Sequence, residues 1–170
     1  MKYQNIFALT AMTLLLAGSA WAGITATVNV SCTILPLFEM AVTGPNGGNI
    51  EFGVIQKDAD QNVLVTAPEV VISAKSNTGQ PYMITHELIT PLANDEGAVL
   101  PDGSMSVNAS SASGGSTAKG AAVGTDTGVL YHSDATGKSD TVTARYDLDV
   151  NPDQEAGNYQ SKLLYTIVTV

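Results

Sequence analysis

Between Gly23 and Pro36 the side chains alternate strictly. Ile24, Ala26, Val28, Val30, Cys32 and Ile34 are apolar; Thr25, Thr27, Asn29, Ser31 and Thr33 between them are polar. A period of two puts all the apolar groups on one face of a β-strand, whereas a helix would scatter them around its circumference. A strand of this kind has two uses. It packs into its own domain, or it completes the sheet of a neighbour. That choice separates a stand-alone module from a polymerising subunit.

The residues ahead of this strand read as a cleaved secretory signal spanning 1–22. Lys2 gives the positive start, Ile6–Ala17 is the apolar core, and Ala20-Trp21-Ala22 is a small-x-small cleavage site. The apolar run is short for a membrane span, and no later segment reaches about 18 apolar residues. Removal of the signal leaves about 150 residues, enough for one domain with a real core. It also removes Trp21, the only tryptophan, so the core rests on Val, Ile, Leu, Tyr, Phe38 and Phe52.

The formal charge of −9 becomes one unit more negative without Lys2. An acidic surface keeps an exported protein soluble and argues against nucleic acid or anionic membrane as partners. Cys32 is the sole cysteine, so no internal disulfide forms and packing must supply the stability. The alternation puts Cys32 on the apolar face, where a free cysteine behaves as a small buried hydrophobe.

Beyond the signal, helical periodicity is nearly absent. Gly, Pro, Asn and Asp punctuate the chain at intervals of about 8–12 residues, the spacing of an all-β sandwich. Strands are expected near 24–34, 36–43, 50–56, 69–75, 81–89, 98–107, 128–133, 140–150 and 158–170. Residues 108–128 are rich in Ser, Ala and Gly and read as a long surface loop. In 140–150, Val142, Ala144, Tyr146, Leu148 and Val150 share one face, opposite Thr141, Thr143, Arg145, Asp147 and Asp149. The last segment is apolar on both faces, with Leu163, Tyr165 and Ile167 against Leu164, Val168 and Val170. Such a strand is central in a sandwich or has one face against a partner.

Signals for chemistry are weak. His132-Ser133-Asp134 offers hydrolase residue types, but neighbours on a strand point to opposite faces and cannot form a relay alone. Asp58, Asp60 and Asn62 have the spacing that opens a calcium loop, with Glu69 at the twelfth position. Val63 stands where the tight turn wants glycine, so a solvated turn is expected and no metal site. Asp147, Asp149 and Asn151 read as an acidic outward face that discourages sideways aggregation. Asn108-Ala109-Ser110 fits the weak N-glycosylation pattern. No phosphate loop or paired catalytic carboxylates are present; neither an enzyme nor a cofactor is expected.

The export signal, the alternating strand Gly23-Ile-Thr-Ala-Thr-Val-Asn-Val, the β-rich body and the closing Ala156-Gly157-Asn158-Tyr159-Gln160-Ser161 with its apolar terminal strand together form a pattern. It resembles the subunits of chaperone–usher pili, particularly the alternate class that lacks the internal disulfide. The likeness covers about the first and last 15 residues of the processed chain; the middle matches only as a β-sandwich. The resemblance implies an immunoglobulin-like sandwich over 35–170 that lacks its final strand and is completed by a donor. A periplasmic chaperone lends that strand first, and the N-terminal segment 23–34 of the next subunit then replaces it. The physics is β-strand addition, with backbone bonds for affinity and alternate side chains in pockets. Ile24, Ala26, Val28 and Val30 would be inserted. Tyr159, Leu163, Tyr165, Ile167 and Val170 would line the receiving strand, or else the opposite set Leu164, Val168 and Val170 would, with the Val170 carboxylate held by the chaperone. The implied partners are neighbouring copies, the chaperone and an outer-membrane usher. The implied destination is a cell-surface fimbrium supporting adhesion, reached through the periplasm. The other reading of the same residues is a self-complete secreted Ig-like or surface-layer domain that binds a glycan or protein through loops such as 103–127.

Overall fold

The computed structural model describes residues 28–57 and 60–170. The chain divides into two units, Met1–Ile34 and Leu35–Val170. In the first unit, residues 28–34 form no strand, and Val28, Val30, Ile34 and Cys32 are exposed. The expected burial of Cys32 is therefore corrected. Alternation states which face a strand would bury; it does not supply a neighbouring edge to bury it against. Ile24, Ala26 and the signal lie outside the described residues.

The second unit is all-β. Ten strands follow in order: β1 Phe38–Thr43, β2 Val63–Thr66, β3 Val70–Ser76, β4 Tyr82–Leu88, β5 Met105–Ser111, β6 Ser116–Thr117, β7 Lys119–Ala122, β8 Gly128–His132, β9 Asp140–Val150 and β10 Leu163–Thr169. They form two antiparallel sheets packed as a sandwich. The larger has the order β1-β3-β9-β5-β7 with β2 also on β9; the smaller has the order β10-β4-β8-β6.

β9 organises the larger sheet. Its alternation holds along its whole length: Val142, Ala144, Tyr146, Leu148 and Val150 are all buried. Its C-terminal half pairs β2 and its N-terminal half pairs β3. Ala67-Pro68-Glu69 separates β2 from β3. Proline has no N–H for the ladder, but the Ala67 N–H still reaches the Tyr146 carbonyl at 2.9 Å. The core between the sheets centres on Ile72, Tyr82, Ile84, Val107, Leu130, Tyr131, Val142 and Tyr146, each almost fully buried. Buried tyrosines need hydroxyl partners. Tyr82 donates to the Lys138 carbonyl at 3.0 Å and Tyr131 to Asp140 Oδ2 at 2.6 Å.

Three expectations are corrected. Residues 50–56 form no strand; Ile50, Phe52 and Ile55 pack half-buried against the core from irregular backbone. The strand expected from 98 starts only at Met105, and Val99 makes one isolated bridge to Ala93. The expected loop 108–128 instead holds the end of β5 and all of β6 and β7. Its small residues serve close packing. A Cβ on Gly115 would lie 2.3 Å from the Tyr131 ring, and Ala109 is buried in the core.

Candidate functional site

The two sides of the sandwich differ. On one, the segment 116–122 crosses between the sheets. β6 pairs β8 in the smaller sheet and β7 pairs β5 in the larger. Ala118, between them, donates to the Leu130 carbonyl and accepts from the Ala109 N–H, both at 2.9 Å. The sheets are thus stitched together on that side. On the opposite side the edges are β1 and the short β2 in the larger sheet and β10 in the smaller, and among the described residues none of the three pairs a second strand.

Ladder geometry dictates what these edges present. In an antiparallel pair, a residue's N–H and C=O point the same way, and successive residues alternate. Lys162 accepts from the Ile89 N–H at 2.8 Å and the Val170 N–H donates to Pro81 at 3.0 Å. Even-numbered residues of β10 therefore face β4. The backbone groups of Leu163, Tyr165, Ile167 and Thr169 face outward. On β1 the Leu37 carbonyl accepts from the Asn77 N–H at 3.1 Å, so odd-numbered residues face β3. The backbone groups of Phe38, Met40 and Val42 face outward.

The same residues carry the inward side chains. Phe38, Met40 and Val42 on β1, and Leu163, Tyr165 and Ile167 on β10, are half-buried against the core, while their neighbours Glu39, Ala41, Thr43, Leu164 and Thr166 are exposed. Each edge offers a row of unpaired backbone groups above an apolar floor. Phe38 reaches under that floor to Tyr82, ring centroids 5.8 Å apart and edge to face. The edges run antiparallel, because Leu37 and Val170 meet opposite ends of the same connection, 77–81.

Behind β10 lies a polar string. Tyr165 Oη is 2.8 Å from Tyr146 Oη, which is 3.4 Å from His86 Nδ1. Burial raises the Tyr146 hydroxyl well above its ordinary range, and pushes Tyr165 up to about 12. Burial lowers the His86 imidazole, so it is neutral. His86 Nε2 is the one buried side-chain nitrogen or oxygen without a hydrogen-bond partner among the described residues. The inward side chains of β1 and β10, Phe38, Met40, Val42, Leu163, Tyr165 and Ile167, carry no charge at neutral pH.

Of the residues picked from sequence, Leu163, Tyr165 and Ile167 come together on the inward face of β10. The alternative set, Leu164, Val168 and Val170, belongs to the other face, with Leu164 and Val170 largely exposed. Val170 follows the strand. Tyr159 precedes it and is tied to its own loop, donating to the Glu155 carbonyl at 2.8 Å and accepting from Gln154 at 2.6 Å. Val28 and Val30 are exposed and belong to no ladder. The facing wall, Phe38, Met40 and Val42, is missed by sequence reasoning. Its signal was present in the alternation with Glu39, Ala41 and Thr43, but nothing local says that β1 is an edge opposite β10.

The remaining motifs have structural uses. Ser133 Oγ accepts from the Tyr82 N–H and donates to the Asp134 carbonyl, both at 2.9 Å, while Asp134 accepts from Thr136. His132, Ser133 and Asp134 thus form no relay. Asn108 is half-buried and occupied on both amide atoms, by the Gly120 N–H at 2.9 Å and Asp147 at 3.2 Å. Asp58 lies outside the described residues, and among those described no group of three His, Cys, Asp or Glu side chains could hold a metal. Asp147 and Asp149 accept from Thr66 and Asn62, tying the outer face of β2 to β9. No protein-family model matches the chain, and no curated protein matches it in sequence.

Proposed function

We propose that this chain is a structural subunit of a bacterial surface pilus, built by exchange of donor strands between copies and supporting adhesion. One observation carries the reading. Two edges on the same side of the sandwich combine outward backbone groups with inward apolar side chains, on Phe38, Met40 and Val42 and on Leu163, Tyr165 and Ile167. A long apolar edge with nothing beside it is an aggregation hazard that single-chain proteins blunt with charge, bulges or covering loops. β10 carries no charged residue. An added strand would satisfy the backbone on this edge and exclude water from the floor. The occupant that fits is the alternating segment of the next copy, with Ile24, Ala26, Val28 and Val30 directed inward. The sandwich would then be an immunoglobulin-like fold short of one strand. During export, a periplasmic chaperone would cover the same edge before an outer-membrane usher passes the subunit on to the fimbrium.

Deletion of residues 23–30 tests the reading. The truncated subunit should fold beside its chaperone and lose the ability to form filaments. Filaments of normal length from the deletion variant would refute it. Refolding of the full exported chain to a long-lived monomer would favour the self-complete binding domain instead.

A further inference from the structure

We propose that Asn77 and Pro36 make the strand exchange intermolecular, by preventing the N-terminal segment from turning back into the groove of its own subunit. This rests on the reading of the β1–β10 edge as a strand acceptor.

The observations lie where β1 begins. β3 leaves the larger sheet at Asn77, and the Asn77 side chain takes over the ladder that the β3 backbone abandons. Its Oδ1 accepts from the Leu37 N–H at 2.6 Å, and its Nδ2 donates to the Leu35 carbonyl at 3.0 Å. The Asn77 N–H also donates to the Leu37 carbonyl. Three hydrogen bonds from one residue hold Leu35–Leu37 as a continuation of β1.

Pro36 sits between the clamped residues. Its ring fixes its own φ and biases Leu35 towards extended backbone. Pro36 shares the outward parity of Phe38, Met40 and Val42, so its missing N–H falls on the groove side of the edge. A strand pairing with β1 loses its acceptor contact there, and pairing stops at Phe38.

A return into the subunit's own groove requires a reversal just ahead of β1. Tight hairpin reversals use residues at positive φ, supplied by Gly, Asn or Asp. Between Gly23 and Gly44 there is no glycine or aspartate, and the one asparagine, Asn29, lies six residues ahead of the clamped Leu35. Among the described residues, the only non-glycine at positive φ is Asn46, on the far side of β1. The clamp, the proline and the lack of a turn residue between Asn29 and β1 all oppose reversal. The segment therefore serves a second copy.

The test uses the exported full chain and a labelled peptide of residues 23–34. Wild type should form multimers in light scattering, take up the peptide, and break down to peptide-capped monomers as peptide is added. Pro36→Gly with Asn77→Ala should raise the monomer fraction at least about fivefold and lower peptide uptake to match, because the subunit's own strand now fills the groove. If the double variant melts cooperatively yet multimerises and takes up peptide within about twofold of wild type, the clamp does not direct exchange. Pro36→Gly alone leaves β3 untouched and gives the same comparison should the Asn77 change prevent folding. Wild type that neither multimerises nor takes up peptide refutes the acceptor groove itself, and the inference falls with it.

Discussion

The two sides of this sandwich solve the same problem in opposite ways. On the stitched side, Ala118 bonds to both sheets and the chain closes its own edge. Asp140 reinforces the closure. It accepts from Tyr131 Oη at 2.6 Å, from the Thr141 N–H at 2.7 Å and from the Ser113 N–H at 2.9 Å. On the open side, β1 and β10 end with their outward backbone groups unpaired among the described residues. One side spends its polar groups on internal order; the other leaves them unpaired, where the proposed donor strand would take them up. Stability and assembly are therefore separable, and substitutions on the two sides should move different measurements.

The largest effect is expected on the stitched side. Asp140→Ala removes the acceptor shared by Tyr131, Thr141 and Ser113, leaving the buried Tyr131 hydroxyl without its carboxylate partner. It should cost about 3 kcal/mol in urea unfolding. It should barely change uptake of the 23–34 peptide by the protein that remains folded. A large loss of uptake in folded Asp140→Ala would show that the sides are coupled, and the comparison would break.

The second effect belongs to the open side and should split the other way. Ile167→Asp places a carboxylate on the half-buried floor of β10. The free body should lose about 1 kcal/mol, because that floor is partly wet. Strand docking would bury the charge without a partner, so peptide affinity should fall about 30-fold or more. Leu164→Asp, on the outer face of the same strand, is the control and should leave affinity within about threefold. Equal losses from the two variants would show that the floor of β10 is not the docking face.

The sequence shows some of this division and hides the rest. β9 is legible because its alternation is strict and both neighbours accept it. β10 is legible as a strand but not in its sidedness. Leu164 and Val168 are as apolar as Leu163 and Ile167, and only the pairing with β4 decides which set faces inward. The stitched side was hidden because Ser, Ala and Gly in 108–122 look like a flexible loop. Their value appears only beside Tyr131, which leaves no room for a Cβ on Gly115. The open side was half visible, since a groove needs two walls and no local pattern says which strands end a sheet. Met40 and Tyr165 are 125 positions apart in the chain.

The smallest effect separates the sides by pH. His86 lies behind β10, with only the Tyr146 hydroxyl close to Nδ1, Tyr165 beyond it, and Gly128 about 3 Å from Nε2 by the position a Cβ there would take. No carboxylate faces it among these groups. Burial lowers its folded pKa below the ordinary 6.5, so the unfolded chain binds the proton first. The sign follows: stability is fully present above 6.5 and declines as pH falls from there towards the lower folded value. The slope is bounded by one proton, about 1.4 kcal/mol per pH unit. Asp140 behaves differently. Burial pushes its carboxyl up, but hydrogen bonds from Tyr131, Thr141, Ser113 and Ser111 outweigh this and hold it below the ordinary 3.8. Its contribution is present above 3.8 and is lost as pH falls through the depressed value. Acid should thus loosen the β4–β10 side first and the stitched side only later. His86→Gln should flatten urea stability in the window just below pH 6.5 while leaving the steep loss at lower pH in place. An unchanged slope in that upper window would show that His86 does not set the acid response behind the open edge.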